Sequence, residues 1–164
     1  MSQYLRVLCH SEKPLTRAEL GHFIRAGGFF DAEPRFDPSL DDLAAAHPEW
    51  VRFEVHPPGS TRPIVLHRAT SDVLAASLEE IVQTLREAGL EATHGALLQR
   101  IRASRQLITV ELDPGRMTDD AWEMLDTTEA YIAREREGVV FVSGEGVYDD
   151  ALQPLCLLGA QGHS

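Results

Sequence analysis

Short stretches that alternate apolar and polar side chains recur along this chain. Longer stretches with apolar residues every three or four positions fill the gaps between them, and few folds accept that order. The first alternating stretch is Tyr4–Cys9. Leu5, Val7 and Cys9 take one side, Tyr4, Arg6 and His10 the other, with Leu8 as an apolar exception. Trp50–Val55 alternates next, with Val51, Phe53 and Val55 opposed to Trp50, Arg52 and Glu54. After a turn rich in proline and glycine, Pro63–His67 returns as the second arm of a hairpin. Leu107–Leu112, with Ile108, Val110 and Leu112 inward, and Val139–Ser143 supply two further strands, and Gly144-Glu145-Gly146 leads into Val147-Tyr148.

The intervening segments carry helix signals. Thr16-Arg17-Ala18-Glu19 fits a capping box, in which the Thr hydroxyl and the Glu carboxylate each satisfy a free backbone amide. Leu15 and Leu20 fit the accompanying staple, and Gly27-Gly28 ends that helix. Asp37-Pro38 suits the cap and first turn of a short helix through Leu40, Leu43 and Ala44. Ser77-Leu78-Glu79-Glu80 reads as a second capping box, ahead of a stripe of Leu78, Ile81, Val82 and Leu85 that Gly89 closes. His94–Arg105 makes a shorter helix. Thr118 caps the longest one, which runs to about Glu135 with Met117, Ala121, Met124, Leu125, Thr128 and Ile132 inward.

The resulting order, β-α-β-β-α-(α)-β-α-β, predicts one α+β domain over residues 1–164. Its first six elements match the split βαβ arrangement of a ferredoxin-like sandwich, with an antiparallel sheet and helices on one face, plus an extra C-terminal α-β extension. The partly apolar tail, residues 151–164, is expected to form an edge strand or an arm. Val7, Phe53, Val55, Ile81, Leu85, Val110, Leu125, Ile132 and Val140 are expected to be buried together. The segment GVVFVSGEGVYDD resembles the end of many small bacterial α+β proteins, a likeness that carries no function.

Charge narrows the function. The net charge of −11 argues against nucleic-acid or anionic-membrane binding, since both rely on Lys and Arg to neutralise phosphate. No apolar run is long enough to span a bilayer and the start lacks a signal-peptide layout, so a cytoplasmic location is expected. The two cysteines, Cys9 and Cys156, make no disulfide framework. Between Glu111 and Asp150 twelve acids face three bases, a local charge of −9.

Motifs for chemistry are missing. There is no G-x-S-x-G around Ser143 and no phosphate loop at Gly27-Gly28 or Gly144-Glu145-Gly146. His56 and His67 flank the hairpin but sit at different heights along it, and Cys9 and His10 point to opposite faces. No catalytic residue, metal or cofactor is therefore expected. Cys9 reads as a small buried hydrophobe rather than a nucleophile.

The acidic helix is the feature that suggests a function. Asp119, Glu123 and Asp126 fall on one stripe, with Trp122 and Glu129 at its margin. An indole ringed by acids would choose a basic protein partner, as an acidic inhibitor or immunity-type protein does with a toxin or enzyme. Trp122 also stands at the position of a hydrophobic staple with Met117, which is a purely structural role. The alternative is a ligand-binding or enzymatic domain. There Arg6, Arg52, Glu54 and His67 on the polar sheet face would line a pocket, completed across a homodimer.

Overall fold

The computed structural model describes residues 3–158. The strands are β1 (Gln3–Cys9), β2 (Arg35–Asp37), β3 (Arg52–His56), β4 (Ile64–Ala69), β5 (Gln106–Leu112), β6 (Gly138–Val142), β7 (Gly146–Tyr148) and β8 (Pro154–Leu157). The helices are α1 (Arg17–Gly27), α2 (Ser71–Glu87), α3 (Gly95–Arg102) and α4 (Asp119–Glu135). The strands form one open sheet in the order β2-β3-β4-β5-β1-β6-β7-β8. Every neighbouring pair is antiparallel. The class is α+β.

The order departs from the ferredoxin-like expectation. That fold would seat β1 between β4 and β5, whereas here β1 lies between β5 and β6. Because β1 is antiparallel to both, β5 and β6 run parallel to each other, with α4 as their crossover. The split βαβ unit is thus β5-α4-β6, and it occupies the centre of the sheet. The α-β pair expected as a C-terminal extension is this central unit. The tail supplies the edge strand β8, and residues 159–164 of the expected arm lie outside the described residues.

Helices cover both faces, contrary to the expectation of one. Leu5, Val7, Ile108, Val110 and Val140 pack under α1 and α4. Leu8, Leu107, Val139 and Phe141 pack under α2 and α3, together with Ile81 and Leu85, which therefore belong to a second core. The cause is visible at one end of the central strands. Leu8 and Leu107 are apolar on the nominally polar side, and all five residues of β6 are buried. A strand apolar on both sides demands cover on both sides.

Local signals translate unevenly. The amide of Glu19 donates to Thr16 Oγ1 at 3.0 Å, as a cap requires. Its carboxylate does not return to the backbone. Instead it accepts from Tyr131 Oη at 2.7 Å and from the two Arg136 terminal nitrogens at 2.8 and 2.9 Å. Arg136 is 0 % exposed and also donates to the Pro14 carbonyl, so this pair ties the end of α4 to α1. Ser77 is an interior residue of α2, which begins at Ser71. Asp37 ends β2, and the short 3-10 turn Leu43–Ala46 is capped by Asp42. The strand alternation starts at Arg52, so Trp50 is buried against Phe53 while Val51 is 73 % exposed.

Thr118 Oγ1 accepts from the Ala121 amide at 3.1 Å, capping α4 as expected. Thr118→Ala should cost about 1 kcal/mol in urea denaturation, because that amide then loses its acceptor.

Candidate functional site

Trp122, Asp126 and Glu129 are spaced by four and three residues, so at about 100° per residue they share one stripe of α4. That stripe borders the core-facing side, where Ala121, Leu125, Thr128 and Ile132 are buried. It overlooks the sheet where β1 meets β6. The chain turns tightly after β6 through Gly144 at φ 77°, a left-handed conformation that favours glycine. The turn leaves Glu145 exposed beside α4, and β7 then brings Tyr148 to the same place. Leu152, from the connection to β8, closes one end.

These elements enclose a groove of about 420 Å³. Leu5, Val140, Val142 and Leu152 supply apolar surface, while Gln3, Trp122, Asp126, Glu129, Glu145 and Tyr148 supply the rest. Glu129 is 3 % exposed, and its Oε1 is buried with no hydrogen-bond partner among the described residues. An unpaired buried acceptor costs free energy, more so when it is charged. Burial accordingly pushes the Glu129 carboxyl up to about 8, and the nearby Asp126 and Glu145 charges push the same way. Burial and then the Glu145 charge also raise Asp126. Tyr148 is raised by burial and by Glu145, to which its hydroxyl donates at 3.5 Å. Three carboxyl groups thus crowd one groove, and among the described residues no Lys, Arg or His lines it.

Among the five residues expected to form a partner surface, Asp119, Glu123 and Asp126 are exposed and Trp122 is half-buried. Glu129 differs from the expectation. It is a buried residue of α4, because Leu125 and Ala133, four positions to either side, carry the core up to its side chain. Sequence reading missed Glu145, Tyr148 and Leu152 altogether. Their shared location depends on a turn and an edge hairpin that no local pattern specifies.

The alternative residues do lie on one sheet face. Register places Arg6 beside Thr109, Thr109 beside His67 and His67 beside Arg52. Arg6 and Arg52 are therefore three strand spacings apart, about 14 Å, too far to clamp one carboxylate. Each group already has a partner. Arg52 donates to Glu54 Oε2 at 2.9 Å, His67 Nε2 sits 3.1 Å from Glu111 Oε1, and Arg6 is 3.3 Å from Ser143 Oγ. Glu54 also meets His56 Nε2 at 2.9 Å, and the hydrogen bond from Arg52 leads the influences that hold its carboxyl below the usual range. A wider groove of about 700 Å³ opens where this face meets α2 near His67, Arg68 and Val73.

The remaining candidates separate. His67 pairs with Arg52, four residues from His56 along β3, so the two imidazoles do not converge. Among the described residues, no group of three or more His, Cys, Asp or Glu is placed to hold a metal ion. Cys9 lies in the core under α1 and α4, and burial pushes its thiol up to about 12, far from thiolate reactivity at neutral pH. Cys156 lies in the opposite core. No helix among the described residues is long and apolar enough to cross a membrane. No family model matches the chain, nor does any curated protein or solved structure.

Proposed function

We propose that this chain is a non-enzymatic binding protein that docks a basic protein partner on the acidic side of α4, as an inhibitor or immunity-type protein neutralises a basic toxin or enzyme. The observation that carries the reading is the continuity of acid along that side. Exposed Asp119 and Glu123 flank half-buried Trp122, and beyond it the surface drops into a groove rimmed by Asp126 and Glu145. A field of one sign over a helix face speeds the approach of an oppositely charged partner, and an aromatic at its centre slows departure.

Stopped-flow mixing with fluorescein-labelled nona-arginine, at low and high salt, tests it. The Glu123→Lys/Asp126→Lys variant should keep its fold, since both side chains are exposed. It should associate about tenfold or more slowly and lose most of the salt dependence. Equal association rates for the variant and the parent protein would overturn the reading.

A further inference from the structure

We propose that the groove between α4 and the β6–β7 turn seats one cationic side chain of that partner, a lysine ammonium or an arginine guanidinium. Glu129 is then its counter-ion at the floor, and Trp122 and Tyr148 are its walls. This rests on the docking function proposed above and adds what the docked group is.

Glu129 places an acceptor with no partner in a nearly closed position, 3 % exposed, inside a cleft open to solvent. Buried polar atoms in folded proteins are nearly always satisfied, so an orphan facing a groove marks where a donor from outside would fit. The surroundings select the donor. Asp126 on α4 and Glu145 in the turn face the same space, so an anion is repelled and a cation is attracted. Leu5 and Val142 give an alkyl stem apolar contact, and Trp122 and Tyr148 line the same groove, where an aromatic ring can attract a positive head. A hydrated metal ion has less use for such walls.

The arrangement also couples binding to a proton. Glu129 faces Asp126 from its own helix, Glu145 from the turn and Tyr148 from β7, and among the described residues no basic group in the groove offsets them. Free of ligand at pH 7, its carboxyl holds its proton. An arriving ammonium favours the carboxylate, so the proton leaves Glu129 for the solvent as the ion pair forms.

Calorimetry with n-butylammonium chloride at pH 7, in two buffers of different ionisation enthalpy, tests the proposal. Saturable one-to-one binding is expected, with heats that differ between the buffers because a proton is released. n-Butanol should not bind. Glu129→Gln should weaken binding about tenfold or more, and Glu145→Gln, at an exposed position, should weaken it less while leaving the fold intact. Absence of saturable binding, equal binding by Glu129→Gln, or equal binding of n-butanol would overturn the proposal. If n-butylammonium fails while nona-arginine still responds to Glu123→Lys/Asp126→Lys, this inference falls and the docking function stands. If both fail, both fall.

Discussion

Replacing Glu19 by alanine should lower stability by about 3–5 kcal/mol, because it leaves the Arg136 guanidinium buried without its counter-charge. Arg136 is fully buried, and among the described residues its guanidinium has, beyond Glu19, only the Pro14 carbonyl. Its Nε has no partner among the described residues even in the intact protein, so they offer no spare acceptor to take over. Tyr131 would lose its acceptor as well, although its stacking on Phe23 at 4.1 Å would remain. The double variant Glu19→Leu/Arg136→Met should recover most of the loss, since a well-packed apolar pair can replace a buried ion pair at little cost. Urea denaturation of the three proteins checks this, and a loss below about 1 kcal/mol for Glu19→Ala would contradict it. The pair also has a pH signature. Burial alone would raise the Glu19 carboxyl, but the hydrogen bonds from Arg136 and Tyr131 outweigh it and hold the group below 4.5. A carboxyl depressed on folding contributes stability above its unfolded value and loses it as pH falls through the folded value. The gap between the parent protein and Glu19→Ala should therefore be full at pH 6 and narrow in acid, below 4.5.

The second large effect has the opposite sign. A carboxyl raised on folding binds its proton more tightly in the native state, so stability falls as pH rises from the unfolded value towards the folded one. For Glu129 that window runs from 4.5 to about 8. Glu129→Gln keeps the neutral shape and removes the titration. The variant and the parent protein should be about equally stable below pH 4.5. Above pH 8 the variant should be the more stable by a margin on the order of 4 kcal/mol, as a shift of this size implies. Thermal or urea denaturation of both proteins across pH 4–9 measures the difference, which cancels groups that titrate alike in the two. A difference that stays flat with pH would show that Glu129 ionises as freely as a surface acid.

Most elements were legible from local pattern. The hairpin register was readable because Arg52 and His67 lie at matching distances from the turn, and the Thr16 and Thr118 caps were readable because a cap is a short-range hydrogen bond. What escaped was set by partners far away in sequence. Glu19 looked like half of a capping box, yet its carboxylate serves Arg136, 117 residues on. One neighbour of β1 differs from the expectation, β6 in place of β4, because nothing in its own sequence says which strand lies alongside. Leu8, the apolar residue out of phase in β1, is the trace there of the second helix layer. At the candidate site, Trp122 and Asp126 followed from helix phase. The burial of Glu129 did not, since a glutamate beside an acidic stripe reads as solvated until the sheet beneath it is known.

The most direct test of the site is the ionisation of Glu129 itself, followed through its side-chain carboxyl carbon by ¹³C NMR and assigned by its disappearance in Glu129→Gln. A midpoint near 8 is the result this structure predicts, because the side chain is buried, its Oε1 has no partner among the described residues, and it faces Asp126 and Glu145. A midpoint near 4.5, the value of a solvated glutamate, would mean that the groove holds no unsatisfied acid and would remove the basis for a buried counter-ion there.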